Sequence, residues 1–132
     1  MITREADYAI RVVLFLARRG PEAGAVASDS VAEGMLIPYR FLRKIVQRLV
    51  TAGIVVARRG KGGGIALARP KANLSLLDVL QAADPRSLQL NVCLDQPARC
   101  ALSRGCPVHG ELHRVQSVLH SHLEELTFDR LV

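Results

Sequence analysis

Residues 37–69 read IPYRFLRKIVQRLVTAGIVVARRGKGGGIALAR, and the fold follows from this stretch. Phe41, Leu42, Ile45, Val46 and Leu49 recur at helical spacing, so a helix from Pro38 to about Ala52 has one apolar face. Pro38 suits its first turn, where a missing N–H is no loss. Gly53 suits a left-handed C-cap. The opposite face carries Tyr39, Arg40, Arg43, Lys44, Gln47 and Arg48. Two short apolar runs follow, Ile54–Ala57 and Ile65–Ala68, separated by Arg58-Arg59-Gly60-Lys61-Gly62-Gly63-Gly64. This predicts a β-hairpin with a basic, glycine-rich turn directly after a basic helix. Glycines let backbone amides approach phosphate closely, and arginines can enter a narrow minor groove.

Upstream, Ile10, Val13, Leu14 and Ala17 predict a first helix from about Ala6 to Arg19. Thr3 is its N-cap, Glu5 and Asp7 suit the positive end of its dipole, and Gly20-Pro21 stops it. A short second helix runs from Ser28 to about Glu33, and Gly34 ends it. Two short helices joined by a Gly-bearing turn, the second of them basic, form the helix-turn-helix pattern, and the hairpin then reads as a wing. A nucleotide phosphate loop would need a Lys-Ser/Thr pair opening a helix, whereas these glycines lead into a strand. No Ser-His-Asp arrangement or paired-carboxylate motif points to an enzyme.

Downstream, Ser75 and Asp78 match a capping box that opens a helix to about Ala83. Helical periodicity is lost from Pro85 to Pro107. A long final helix then spans about Val108 to Phe128, with Leu112, Val115, Leu119, Leu123 and Leu126 as a narrow coiled-coil-like seam. Because it lies beyond a complete small domain, the seam is expected to pair with a second copy of the chain. The expected architecture is mainly α with a small β-hairpin wing. Residues 1–84 form a winged helix-turn-helix DNA-binding domain, 85–107 a cysteine loop, and 108–132 a dimerisation helix and tail.

Charge supports a polyanionic partner. Residues 1–71 hold 13 Lys and Arg against 5 Asp and Glu, a balance of +8, whereas residues 72–132 come to −2. A one-sided basic segment favours nucleic acid. Aromatics make up only 4% of the 132 residues and Trp is absent, which argues against a stacking platform for single strands. The longest uncharged apolar run, Val12 to Ala17, is too short to span a bilayer, and the N-terminus lacks a secretory pattern. A cytoplasmic protein is expected, with double-stranded DNA as partner and no membrane or small-molecule substrate.

Cys93, Cys100 and Cys106 are spaced Cys-x6-Cys-x5-Cys, and His109 follows after two residues. In a reducing compartment clustered cysteines more often ligate metal or sense redox state than form disulfides. Three thiolates and an imidazole suit a structural zinc or an iron–sulfur cluster, and spacing alone does not separate them. The close cysteine pairs usual in zinc loops are absent.

Residues 37–69 resemble the winged-helix regulators typified by IscR and NsrR. That family has an Ile-Pro start, an aromatic-Leu pair, a Leu-x-x-Ala-Gly-Leu/Ile close and Arg-Gly-x-Gly-Gly. The resemblance extends through Leu74–Leu80 and the cysteine loop. It implies a homodimer on a two-fold DNA site, with one recognition helix per half-site. By position, Tyr39, Arg40, Arg43 and Lys44 face DNA, while Arg58, Arg59, Gly60, Lys61, Gly62 and Gly63 serve as the wing. The resemblance also implies an iron–sulfur cluster on Cys93, Cys100 and Cys106, rather than zinc. His109 is placed as the fourth ligand of IscR-like [2Fe–2S] members, and Asp7 as that of NsrR-like [4Fe–4S] members. His109 and [2Fe–2S] are preferred. The implied function is a transcription regulator whose DNA affinity is controlled by the cluster. The alternative is a zinc-bound or cluster-free regulator that responds through its thiols.

Overall fold

The computed structural model describes residues 1–132, the Pro21 side chain excepted. Its elements run α1 (Arg4–Arg18), α2 (Ser28–Gly34), α3 (Tyr39–Thr51), β1 (Val55–Arg58), β2 (Gly64–Leu67), α4 (Leu76–Ala83), α5 (Val92–Asp95), α6 (Pro107–Glu125) and α7 (Phe128–Leu131). The protein is a winged helix-turn-helix, mostly helical with one antiparallel hairpin. Thr3 caps α1 through a 3.3 Å bond from the Ala6 amide. Ser75 and Asp78 exchange the two bonds of a capping box at α4, at 3.1 and 2.9 Å. Each bond satisfies an amide that the helix cannot.

The core lies between α1, α3 and α4. Ala6, Ala9, Val12, Val13 and Leu16 of α1 meet Leu42, Ile45 and Leu49 of α3 and Val79 and Leu80 of α4. Burying each of the large aliphatic side chains stabilises the fold by roughly 1.5–3 kcal/mol. The stripe that predicted α3 is therefore the one that is buried.

The wing pairs Val55 with Leu67 and Arg58 with Gly64. A lone two-stranded hairpin is marginal in water. Here Val26, ahead of α2, adds a third short rung: its amide and carbonyl bond Ile65 at 2.9 and 2.8 Å. Gly64 makes that approach possible. Its φ is +135°, and a Cβ there would lie 2.3 Å from the Val26 carbonyl oxygen.

The helix-turn-helix turn uses its glycine differently from the expectation. Gly34 belongs to α2 and leaves room for a ring: a Cβ would sit 2.9 Å from Phe15. The left-handed residue is Leu36, with φ +54°, and its side chain points largely into solvent.

The final helix also departs from expectation. It stops at Glu125, not Phe128. The chain there leaves the helix to pair with the segment before α4: the Leu76 amide donates to Leu126 O at 2.8 Å, and the Phe128 amide to Leu74 O at 2.9 Å. Two backbone bonds and the burial of the Phe128 ring, which is 0% exposed, outweigh continued helix. The seam is divided accordingly. Leu123 joins the chain's own core, whereas Val115 and Leu119 remain exposed.

Candidate nucleic-acid interface and cysteine segment

A helical step of about 100° per residue puts Arg40 and Gln47 opposite the buried stripe of α3. Tyr39 and Arg43 lie on one flank, and Lys44 and Arg48 on the other. Tyr39, Arg40, Arg43, Lys44 and Gln47 are all exposed. Arg40 lies over the Phe41 ring, its guanidinium 4.8 Å from the centroid. Such stacking holds the arginine extended while leaving its donors free. Gln47 was not among the expected DNA contacts. Its place one turn from Arg43 on the same exposed face was the available signal, and its amide suits an adenine edge.

Lys44 is less free than its position suggested. Its Nζ lies 2.8 Å from Glu5 Oε1, and Arg48 Nη1 lies 2.6 Å from Glu5 Oε2. Arg48 also donates to the Ala83 carbonyl, the last of α4. One carboxylate of α1 thus holds two cations of α3. The Lys44 hydrogen bond, helped by Arg48 and opposed by partial burial, lowers the Glu5 pKa below the usual carboxylate range. The expected dipole role of Glu5 is therefore joined by a clamp across helices, which lies 39 and 43 residues away in sequence.

At the wing tip Arg58, Arg59, Gly60, Lys61 and Gly62 are exposed and Gly63 is half-buried. Gly60 and Gly62 have φ of +92° and +77°. A Cβ on Gly63 would lie 2.4 Å from Arg58 O. The tight five-residue turn requires these glycines, whatever else they contact.

The cysteine segment is folded in short turns rather than as an open loop. Cys93 lies on α5 and is buried, while Cys100 and Cys106 are half-buried. All three are free thiols. Cys106 is the N-cap residue of α6, and His109 is in that helix's first turn. Nδ1 of His109 is buried with no hydrogen-bond partner among the described residues. By type, three free thiols and an imidazole nitrogen without a partner fit a soft metal centre. As folded, no three His, Cys, Asp or Glu side chains among the described residues converge on one metal position. Asp7 is ion-paired with Arg11 at 2.8 Å, one turn along α1.

Leu88 anchors this segment in the core, and side-chain hydrogen bonds tie it and the chain just ahead of it to the helices. Gln116 of α6 accepts from the Leu90 amide at 3.1 Å and donates to Gln89 at 2.9 Å. The Arg48 bond to Ala83 holds the chain just ahead of the segment against α3. On α6, Val108, Val115 and Leu119 form an exposed apolar stripe. Among the described residues, no helix is long and apolar enough to cross a membrane.

The pattern of the family described as Rrf2, iron-dependent transcriptional regulator, matches residues 2–132. The HTH-type transcriptional repressor NsrR of Streptomyces coelicolor is 31% identical over 133 residues, which cover 99% of this chain and 87% of that protein. Among solved structures, CymR, the global cysteine regulator of B. subtilis, superimposes with a TM-score of 0.80 at 22% identity, over 99% of this chain and 95% of that one. IscR of T. potens gives 0.73 at 21% identity, over 99% and 85%. These two likenesses establish the shared fold.

Proposed function

The chain belongs to the Rrf2 family of iron-dependent transcriptional regulators, and from that premise we propose a homodimeric, sequence-specific DNA-binding regulator controlled by an iron–sulfur cluster on Cys93, Cys100 and Cys106. His109 is the preferred fourth ligand and [2Fe–2S] the preferred cluster. The observation that carries the reading is the pairing of two features in one small fold. An exposed cationic helix face is followed directly in the chain by a glycine wing, and the same chain carries three free thiols and, among the described residues, an imidazole nitrogen without a partner. The NsrR name of a relative 31% identical supports the cluster.

Tyr39, Arg40, Arg43 and Lys44 present α3 to the major groove. Arg40 and Arg43 are suited to base edges, because a guanidinium can bond two acceptors of guanine at once. Arg58, Arg59 and Lys61 with Gly60, Gly62 and Gly63 meet the phosphates and the adjoining minor groove. The exposed stripe of Val108, Val115 and Leu119 would be covered by a second copy, which sets the separation of two recognition helices. When bound, the cluster supplies a centre sensitive to oxidation and to iron supply. The protein's part is to pass a change in segment 85–107 to α3. Gln116 holds that segment to α6, and Arg48 holds the end of α4, at Ala83 just ahead of the segment, to α3. A coupling of about 1–3 kcal/mol, roughly 5–150-fold in affinity, is enough to switch occupancy.

The test is anaerobic purification with iron, sulfide and visible absorption, followed by DNA titration of loaded and stripped protein. Iron with matching sulfide, visible bands and at least about a fivefold difference in DNA affinity are expected. Colourless protein with stoichiometric zinc, or equal affinities, would overturn the reading. The thiol-responsive alternative rests on one observation, that the donors are not gathered as folded. In that case replacing the three cysteines with Ser removes a response to peroxide in protein free of iron.

Glu5 makes a separate prediction. Glu5→Gln releases Lys44, while Arg48 keeps its bond to Ala83. One more cation near the phosphates should steepen the slope of log affinity against log salt by about 0.9. Affinity for non-operator DNA should rise with it. Titrations across a salt series read this directly, and an unchanged slope would mean that Lys44 does not reach phosphate. The same carboxylate stabilises the fold above its unfolded pKa. Because its folded pKa is lowered, that contribution disappears as pH falls through the folded value. Wild type and variant should therefore converge in stability at acid pH.

A further inference from the structure

A cleft of about 620 Å³ opens between the C-terminal end of α1 and the outer face of the wing, remote in sequence from the cysteine segment. Its volume is within the roughly 300–1,000 Å³ typical of small-ligand sites. Leu16 of α1, Val56 of β1 and Leu67 of β2 give it an apolar floor, and Arg58, Arg69 and Lys71 add positive charge.

These cations are not equivalent. Lys71 is committed, donating to the Ala17 carbonyl at 3.2 Å and so closing the end of α1. Arg58 has no side-chain partner among the described residues. Among the described residues, Arg69 has only a loose contact with Asp78, at 3.8 Å, and its Nε is buried without a hydrogen-bond partner. The Arg69 side chain as a whole is 37% exposed, so the outer nitrogens of its guanidinium remain open to an acceptor. A phosphate alone would satisfy the arginine and leave the apolar floor wet. A carboxylate with an aliphatic body satisfies both, because a guanidinium bonds the carboxylate oxygens and the chain covers the floor.

We propose that this cleft binds a small amphipathic carboxylate, and that its occupancy ties the wing to α1. The residues span both elements: Leu16 is on α1, Val56 and Leu67 on the hairpin, and Arg69 on the connection to α4. A ligand touching all of them restricts the wing, so it acts on DNA affinity from a place separate from the cysteines. Binding itself does not depend on the regulatory reading.

Sodium octanoate is the probe, titrated into the full chain by calorimetry, with sodium phosphate at matched ionic strength alongside. Saturable binding at one site per chain is expected, with phosphate giving none. Val56 is 38% exposed, so Val56→Glu should leave the fold intact while placing a like charge on the floor. It should weaken octanoate at least about tenfold, as one adverse charge or lost contact of about 1.4 kcal/mol would. Arg69→Gln, which keeps polarity without the charge, should do the same, and circular dichroism checks that both variants are folded. No octanoate binding overturns the proposal. So does equal binding of phosphate, or octanoate affinity unchanged in both folded variants. If octanoate binds as expected but leaves DNA affinity unaltered, the site stands and its link to the wing is refuted.

Discussion

Phe128→Ala is expected to cost about 3–5 kcal/mol of folding free energy, a large part of the 5–15 kcal/mol typical of a small protein. The ring is fully buried, and the Leu126 carbonyl and the Phe128 amide are bonded to residues 74–76. Removing it leaves a cavity between α1 and the segment before α4 that the bonded backbone prevents from collapsing. Urea denaturation followed by circular dichroism would show the midpoint falling with little change in slope. Leu131→Ala, at an exposed position in the same short helix, should change stability by no more than about 0.5 kcal/mol. A loss below about 1 kcal/mol for Phe128→Ala would show that the tail is not part of the core.

The second large effect concerns DNA. Arg43→Ala together with Arg59→Ala should weaken operator binding by about 2–6 kcal/mol, at least roughly thirtyfold, if each removes a contact of about 1–3 kcal/mol. The single variants should differ in kind. Arg43→Ala should relax sequence preference at one position of each half-site. Arg59→Ala should weaken all sequences alike and flatten the salt slope by about 0.9 per chain. Selection from a random duplex pool followed by anisotropy titration separates the two. Arg114→Ala serves as control, since that exposed arginine is paired with Glu111 on α6, away from both features. A double variant with undiminished affinity would exclude α3 and the wing as the DNA-contacting surface.

The parts of the fold legible in sequence are those governed by local periodicity. The α3 stripe, the hairpin around its glycines and the Ser75–Asp78 box each need only a few consecutive residues. What stayed hidden depends on contacts between distant segments. Val26 forms a single rung with Ile65, too short to leave a pattern of its own. Glu5 reads locally as a dipole partner, and its clamp on Lys44 and Arg48 appears only when α1 crosses α3. The exit from α6 at Glu125 is set by bonds to Leu74 and Leu76, about fifty residues earlier, and helical spacing through Leu126 gives no warning of it. For the cysteine segment, residue type identified the donors, but type says nothing about convergence. Its short turns are set by Pro97, Pro107 and the Gln116 bonds.

The clasp between residues 74–76 and 126–128 has a consequence for synthesis. A nascent chain that has exposed α1 to α4 already has its cationic face and wing, yet lacks the side chain that fills the centre. Helix pairing among the early elements can begin on the ribosome. The cooperative transition has to wait until Phe128 has emerged, because closing that long loop is rewarded only at the end. Cysteines 93, 100 and 106 therefore leave the ribosome before the winged-helix half has locked, so their thiols meet the solvent while that half is still incompletely folded.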